Sequence, residues 1–579
     1  MASLAFTPGA ATFSGNVVRR RKDNFPVHGF PTTIRSSVSV TVKCYVSTTN
    51  LMVKIKEKFK GKNVNSLTVE AADDDMPSNL CIIDTLQRLG IDRYFQPQVD
   101  SVLDHAYKLW QGKEKDTVYS DISIHAMAFR LLRVKGYQVS SEELDPYIDV
   151  ERMKKLKTVD VPTVIELYRA AQERMYEEEG SLERLHVWST NFLMHQLQAN
   201  SIPDEKLHKL VEYYLKNYHG ILDRVGVRRN LDLFDISHYP TLRARVPNLC
   251  TEDFLSFAKE DFNTCQAQHQ KEHEQLQRWF EDCRFDTLKF GRETAVGAAH
   301  FLSSAILGES ELCNVRLALA KHMVLVVFID DFFDHYGSRE DSFKILHLLK
   351  EWKEKPAGEY GSEEVEILFT AVYNTVNELA EMAHVEQGRN IKGFLIELWV
   401  EIVSIFKIEL DTWSNDTTLT LDEYLSSSWV SVGCRICILV SMQLLGVQLT
   451  DEMLLSDECI NLCKHVSMVD RLLNDVGTFE KERKENTGNS VSLLLAAAVK
   501  EGRPITEEEA IIKIKKMAEN ERRKLMQIVY KRESVFPRKC KDMFLKVCRI
   551  GCYLYASGDE FTSPQKMKED VKSLIYESL

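Results

Sequence analysis

The chain has 579 residues, of which 44% are hydrophobic, and it carries a formal net charge of −12 at pH 7. This length predicts two or more domains with large buried cores. The negative charge disfavours nucleic acid as a partner. No stretch approaches 18 uninterrupted apolar residues free of charge, so the sequence predicts no membrane span.

The first fifty residues differ from the rest of the chain in composition. They hold six Lys and Arg residues but a single acid, Asp23, and they are rich in Ser and Thr. This composition predicts a plastid transit peptide over residues 1–50, with a disordered tail as the alternative. Residues 51–78, which end in "ADDDMPS", are predicted to be an N-terminal linker.

After residue 50, apolar residues recur mostly at three- and four-residue spacing, which predicts an all-α protein. A joint rich in breaks, "SHYPTLRARVPN" at 237–248, divides the chain into a helical domain at 79–248 and a second at 249–579. The predicted helices cover 80–95, 121–135, 163–180, 205–218, 363–385, 391–412 and 507–530.

Two patterns typical of zinc sites are weak in this chain. Cys434 and Cys437 form a single CxxC without a second pair, and the thirteen cysteines read best as reduced core residues. The stretch "HQKEH" at 269–273 has the inverted zincin spacing, but it lies in a Gln-, Glu- and Lys-rich helix whose polar residues look solvated. We therefore expect no zinc at either place.

The stretch "VVFIDDFFDHYG" at 326–337 places three carboxylates at the end of an apolar helix that stops at Gly337. Negative charge is unfavourable at a helix C-terminus, and burying it unpaired costs several kcal/mol more. Asp330 and Asp334 are four residues apart, so an α-helix would put both on one face. We expect them to bind a hard divalent cation.

A second row of oxygen-bearing side chains occurs in "VDRLLNDVGTFEKERKE" at 469–485. Asn474, Thr478 and Glu482 follow one another at four-residue spacing, and Arg471 lies one turn earlier. Magnesium prefers oxygen ligands and often completes its shell with substrate phosphates, so two facing rows suit Mg²⁺ bridged to a diphosphate. The alternative for this segment alone is a solvated helix surface.

These motifs resemble those of a known family. "DDFFD" at 330–334 is similar to the aspartate-rich motif of class I terpene synthases, and "NDVGTFEKE" at 474–482 to their second metal-binding motif. "IDTLQRLGIDRYF" at 83–95 and "AMAFRLLRVKGYQVS" at 126–140 resemble the helical β domain of the plant enzymes, and residues 249–579 their α catalytic domain. The sequence of these two domains is most similar to that of the kaurene-synthase-like diterpene synthases of the mint family that lack the γ domain.

The resemblance implies ionisation chemistry. None of the Asp-Asp pairs in the chain is part of a DxDD motif, so protonation-initiated class II chemistry is not expected. The implied substrate is copalyl diphosphate, as the (+) isomer, made in the chloroplast by a separate class II synthase, and the implied product is an abietane-type diene. Alternatives are a pimarane, kaurane or hydroxylated product, or a non-catalytic prenyl-binding helical protein.

The resemblance also implies a role for individual residues. Asp330 and Asp334 would hold two Mg²⁺ ions, and Asn474, Thr478 and Glu482 a third, with Mn²⁺ able to substitute. Arg471 would bind the diphosphate and Asp331 would support the metal ligands. Arg292 in "KFGRET" matches the first arginine of an Arg-x-Arg pair, although Thr294 replaces the second.

Candidate pocket residues complete the prediction. Phe328, Trp399, Trp429 and Tyr555 could face the cation with their rings, although each is more often a plain core residue. Gly433 breaks an apolar helix near Ser431, Cys434 and Cys437, and in this family the corresponding break lies beside the substrate. The alternative is that Gly433 only permits close helix packing. No strong base is expected near the cation, because the diphosphate itself can accept the final proton.

Overall fold

The computed structural model describes residues 76–113, 115–147, 160–238, 251–290, 293–356, 358–414, 419–485, 487–555 and 565–579. The predicted transit peptide, most of the 237–248 joint and Arg292 lie outside these residues. Every regular element within them is a helix, which confirms the all-α prediction.

The first unit is a set of helices that begin at side-chain caps. Asp121, Asp160 and Asp204 each accept a hydrogen bond from the backbone N–H three residues later, which satisfies a donor that the helix leaves free. The helices are α1 (Met76–Arg88), α2 (Gln96–Gln111), α3 (Lys115–Val118), α4 (Ile122–Val134), α5 (Val161–Ala171), α6 (Gly180–Gln198), α7 (Glu205–Lys216) and α8 (Asp223–Leu233).

The second unit is a larger bundle in which α18 is the central helix, packed against α20 and α21. Its helices are α9 (Thr251–Asp282), α10 (Glu293–Ile306), α11 (Cys313–Asp331), α12 (Arg339–Glu351), α13 (Glu363–Gln387), α14 (Lys392–Ser414), α15 (Leu421–Ser431), α16 (Cys434–Met442), α17 (Asp451–Leu454), α18 (Asp457–Glu485), α19 (Ser490–Lys500), α20 (Glu507–Tyr530), α21 (Arg538–Tyr555) and α22 (Gln565–Val571). Helix α11, which leads to the aspartates, packs between α10 and α16.

Most predicted helices are confirmed to within a few residues. The segments 121–135, 205–218, 363–385, 391–412 and 507–530 correspond to α4, α7, α13, α14 and α20. The prediction of 163–180 was too long, because α5 ends at Ala171. The carboxylate of Glu179 accepts hydrogen bonds from the N–H groups of Met175 and Tyr176 and holds this segment as a turn. Helix α1 begins at Met76, inside the segment predicted as linker.

The two units share one continuous apolar core and a set of polar contacts around α9. Arg224 on α8 donates a hydrogen bond to the carbonyl of Phe262 at 2.6 Å, and its guanidinium lies 3.9 Å from the centre of the Phe262 ring. Arg93 donates to the carboxylate of Asp261 at 2.7 Å. These contacts fix α9 against the first unit, and α10 and α11 pack on α9.

The "HQKEH" stretch has a structural role: Lys271 is exposed as predicted, but the prediction of a solvated face was wrong for His269 and Glu272. His269 and Glu272 are completely buried in α9. The carboxylate of Glu272 accepts two hydrogen bonds of 2.7 Å from Arg316 on α11, in fork-to-fork geometry. Within the described residues, no three His, Cys, Asp or Glu side chains form a metal cluster.

Two helical stretches, Ser310–Tyr336 and Leu421–Met442, are long and apolar enough to cross a membrane by length and composition alone. In each, 78% of the most apolar window is buried inside the fold. Packing within the bundle therefore accounts for their apolar character.

The buried pair between α9 and α11 gives a stability prediction. Glu272→Gln leaves the Arg316 charge buried without its partner, so we expect the free energy of unfolding of the second unit to fall by about 3 kcal/mol. Urea denaturation followed by tryptophan fluorescence measures this change. Glu205→Gln, which removes the exposed partner of Lys209, is the control and should leave the transition unchanged. Equal effects of the two substitutions would contradict the assignment.

Candidate active site

The first row of carboxylates lies where α11 ends. Asp330 and Asp331 form its last residues and are buried, with 8% and 2% of their surface exposed. The chain then makes a π-helical turn over Phe332–Tyr336, which carries Asp334, exposed to solvent. The N–H of Gly337 donates to the carbonyl of Phe332 at 2.7 Å and ends the helix. The predicted helix end is confirmed, but the last turn is a π turn and not the regular α-helix assumed from the sequence.

The second row lies on α18, inside the bundle. Asn474, Thr478 and Glu482 are all buried, which rules out the alternative of a solvated surface. The side-chain amide of Asn474 donates to the hydroxyl of Tyr555 at 2.7 Å, and the Thr478 hydroxyl donates to the Asn474 carbonyl at 2.8 Å. A carboxylate oxygen of Glu482 accepts a hydrogen bond from Asn489 at 2.7 Å.

Arg471 connects the two rows electrostatically. It donates hydrogen bonds to the Asp475 carboxylate at 3.2 Å and to the Tyr424 hydroxyl at 3.3 Å. Asp475 is held in turn by the backbone N–H of Ser490 at 2.9 Å. The positive charge of Arg471 opposes the rise in the pKa of both Asp330 and Asp334.

Two carboxyl groups of this site, Asp330 and Glu482, are buried and lie close to other carboxylates. Burial, followed by the charge of Asp334, raises the pKa of Asp330 well above its usual range. The surrounding protein also raises the pKa of Asp334. Burial and then the charge of Asp475 raise the pKa of Glu482 to about 7. A cluster with these properties is stabilised by added positive charge.

The second row fits a hard divalent cation. The side-chain oxygen of Asn474 is buried and has no hydrogen-bond partner among the described residues, a state that costs about 1–3 kcal/mol when nothing satisfies it. The hydroxyl of Thr478 has its proton directed to a carbonyl, which leaves its lone pairs free. Amide, hydroxyl and carboxylate oxygens are the ligands that Mg²⁺ prefers.

An apolar cavity lies between α10, α11, α16, α18 and α21 in the same bundle. The space inside it that can hold the centre of a water-sized sphere is about 30 Å³. Leu302, Met323 and Leu554 are among the side chains that line it. Cys434 and Tyr555 also line it, as the sequence analysis predicted.

The predicted break near this cavity is present. Gly433 adopts a left-handed conformation with φ of 83° and separates α15 from α16. A Cβ atom there would lie 2.8 Å from a methyl group of Val326, so close packing on α11 also requires glycine. Ser431, just before the break, donates to the Glu409 carboxylate at 2.8 Å.

Three predicted ring residues do not line the cavity. Phe328 packs against Phe280, Phe285 and Phe290 in an aromatic cluster. Trp399 is completely buried and lies beside His322. Trp429 is half-buried, and its indole N–H donates to the carbonyl of Ser426. The structure supports the core interpretation for these residues, which the sequence analysis left open.

Two carboxyl groups of the site were missed by the sequence analysis. Glu409 on α14 lies near Arg471 and Asp334, and burial raises its pKa to about 7. Asp470, which directly precedes Arg471, lines the apolar cavity. The only available signal for the first was an acidic residue on the apolar helix predicted at 391–412, which also carries Glu397 and Glu401. The buried stripe of α18 was the signal for the second.

Comparison with known proteins agrees with this geometry. The family model "Terpene synthase family, metal binding domain" matches residues 281–524, and "Terpene synthase, N-terminal domain" matches residues 33–215. A chloroplastic miltiradiene synthase from Salvia miltiorrhiza is 68% identical over 100% of this chain and 98% of that protein.

This chain belongs to the terpene synthase family. A chloroplastic sclareol synthase from Salvia sclarea is 55% identical over 99% of this chain and 100% of its own length. Abietadiene synthase from Abies grandis has a similar solved structure, with a TM-score of 0.78 at 25% identity, over 87% of this chain and 68% of that one. The resemblance stated from the two metal motifs is thereby confirmed, and both rows lie within the metal-binding domain.

Glu409 gives a prediction about pH dependence. Its pKa is raised in the folded protein, so its contribution favours folding at low pH and is lost as the pH rises through about 7. We therefore expect Glu409→Gln to raise the melting temperature of the metal-free protein at pH 8 relative to wild type, and the difference to shrink at pH 6. Differential scanning fluorimetry tests this, with the exposed Glu397→Gln on the same helix as control. A difference independent of pH would contradict the prediction.

Proposed function

We propose that this terpene synthase is a class I diterpene synthase. It ionises copalyl diphosphate, as the (+) isomer, and converts the resulting cation into an abietane-type diene, miltiradiene, with release of diphosphate. The observation that carries the proposal is the arrangement of one bundle: two oxygen-bearing rows and Arg471 lie on helices that also enclose an apolar cavity.

The polar end would bind the diphosphate. Arg471 is held in place by Asp475 and Tyr424, and its Nε atom has no partner among the described residues, so it retains a donor for an anion. Asp330 and Asp334 would hold two Mg²⁺ ions, and Asn474, Thr478 and Glu482 a third. Bound Mg²⁺ supplies positive charge that stabilises the diphosphate as the allylic C–O bond breaks.

The apolar end would bind the hydrocarbon. Cys434, Tyr555 and the aliphatic side chains of α10, α11 and α21 surround the cavity. Such a wall excludes water from a carbocation, so the cation can react only by ring closure, methyl migration or proton loss. In this proposal the cation closes a third ring, migrates a methyl group and loses a proton.

The relatives favour this product but do not make it unique. Miltiradiene synthase is the name of the Salvia miltiorrhiza relative, whereas the Salvia sclarea relative, at 55% identity, is named sclareol synthase. A pimarane, kaurane or hydroxylated product is therefore the alternative. A non-catalytic prenyl-binding protein is disfavoured. The oxygen-bearing side chains on α18 are all present and buried, and the side-chain oxygen of Asn474 has no hydrogen-bond partner among the described residues. A purely structural helix would gain nothing from burying such an atom.

The chain's place in the cell follows from the same proposal. Both relatives named above are chloroplastic, which agrees with a plastid transit peptide at residues 1–50. No DxDD motif is present in the sequence, so copalyl diphosphate would be supplied by a separate class II synthase.

The activity can be tested directly. Purified protein incubated with (+)-copalyl diphosphate and Mg²⁺ should give miltiradiene by gas chromatography and mass spectrometry. Because the ligands are hard oxygen atoms, EDTA should abolish turnover and Mn²⁺ should restore part of it. Recovery of only unreacted substrate, with this and other prenyl diphosphates, would favour the prenyl-binding alternative. Full turnover in EDTA would refute the metal assignment.

The aspartates give a second test. Asp330→Ala and Asp334→Ala each remove a ligand of the Mg²⁺ ions that would stabilise the leaving diphosphate, so turnover should fall at least about a hundredfold. The fold should be retained, since loss of one carboxylate relieves repulsion in the metal-free protein. Circular dichroism checks the fold, and Glu340→Ala, an exposed acid six residues beyond Asp334, is the control. Wild-type turnover in either variant would contradict the role.

A further inference from the structure

The wall of the apolar cavity contains a carboxyl group that has no role in the proposed reaction. Of the described residues that line it, Asp470 alone carries a charged side chain. Its neighbours there are alanines, leucines, valines, Ile550, Met323, two cysteines and Tyr555. A carboxylate in such surroundings is costly unless it is paired, so its presence calls for a physical explanation.

The carboxyl group of Asp470 is held in place but weakly stabilised. One oxygen accepts a hydrogen bond from the thiol of Cys434 at 3.2 Å, and this weak donor is its only hydrogen-bond donor in the described part of the chain. The other oxygen fills space beside α21, where a Cβ atom on Gly551 would approach it to 2.3 Å. The two contacts fix the carboxyl between the helix break at Gly433 and the wall formed by α21.

Asp475, five residues further along α18, shows what a structural carboxylate looks like in this bundle. It accepts hydrogen bonds from Arg471, Tyr424 and the N–H of Ser490. Asp470 has no comparable set of donors and remains in contact with the cavity. Burial also raises the pKa of Asp470, which makes its carboxylate a stronger proton acceptor than a solvated one.

We infer that Asp470 is the base that ends the reaction by accepting the proton of the final carbocation. In this step a C–H bond next to the cationic carbon breaks, its electron pair forms the new C=C bond, and the proton is transferred to a carboxylate oxygen of Asp470. The neutral acid returns the proton to solvent when the cavity opens for product release. The inference rests on the proposed function, and it differs from the expectation that the diphosphate accepts this proton.

The same geometry makes Cys434 a positioning residue. Its thiol orients one oxygen of the Asp470 carboxyl. The adjacent Gly433 determines where α16 begins, and therefore where the thiol lies. The choice between proton loss and other exits of the cation thus depends on where the helix break places one weak donor.

The test separates ionisation from proton transfer. Asp470→Asn keeps the shape of the side chain and removes the base, and Asp470→Leu is a second variant that keeps the wall apolar. Wild type and variants are incubated with (+)-copalyl diphosphate and Mg²⁺. Diphosphate release is measured by a coupled assay, and product ratios by gas chromatography and mass spectrometry.

We expect diphosphate release within a few-fold of wild type. General-base assistance is typically worth about 10²–10⁴-fold, so the ratio of the main diene to all other products should fall at least about tenfold in both variants. The control is Asp570→Asn, an equally buried carboxyl that lies outside the cavity and accepts from Tyr553, and it should keep the wild-type ratio.

An unchanged product ratio in Asp470→Asn, with wild type active, would overturn the inference and indicate that the diphosphate accepts the proton. Loss of soluble protein in both Asp470 variants would assign the carboxyl to folding and also overturn it. Wild type that releases no diphosphate would instead refute the proposed function.

Discussion

The repulsion among buried carboxylates at the end of α11 and along α18 is the constraint on which the rest of the structure depends. Asp330, Asp331 and Glu482 are placed where water cannot screen them, and burial raises the pKa of Asp330 and Glu482. Such a cluster persists only if the surrounding helices are rigid and if positive charge is at hand. Arg471 supplies one charge permanently, and the divalent cations of the proposed function would supply the rest. The apolar packing of α11 between α10 and α16 supplies the rigidity.

Helix α18 shows how one element can serve both ends of the site. Asp470 and Glu482 are twelve residues apart, which is about 18 Å along an α-helix. Over this length the side chains change from a cavity-lining carboxyl, through Arg471, to the oxygen row at Asn474, Thr478 and Glu482. A single rigid helix therefore fixes the distance between the leaving group and the hydrocarbon cavity. Packing of α18 against both α20 and α21 makes that distance hard to change.

Features encoded by local spacing could be predicted from the sequence. The helices follow from apolar periodicity, and the two rows of oxygen-bearing side chains follow from their four-residue spacing. Features that depend on tertiary contacts could not. Glu272 looked solvated because its partner, Arg316, lies 44 residues away on another helix. Phe328 looked like a pocket residue because periodicity shows which residues are buried but not which buried face meets a cavity.

The same distinction explains the missed carboxyls. Glu409 and Asp470 have no motif around them, and each acquires its role from residues on other helices: Ser431 for Glu409, and Cys434 for Asp470. The π turn at Phe332–Tyr336 is also invisible to a pattern that assumes 3.6 residues per turn.

We expect the choice of product to be controlled by tertiary contacts between helices, not by features encoded in local spacing. In the proposed function the two oxygen-bearing rows determine that a diphosphate leaves, and they can stay constant while the fate of the cation changes. That fate depends on atoms around the cavity: the helix break at Gly433, the thiol of Cys434 and the carboxyl of Asp470, which form one continuous set of contacts. A shift of the break by a fraction of an ångström moves the thiol, and with it the carboxyl oxygen that faces the cavity. Because ionisation and product choice depend on different residues, relatives in one family can carry different product names, as the miltiradiene and sclareol synthases do.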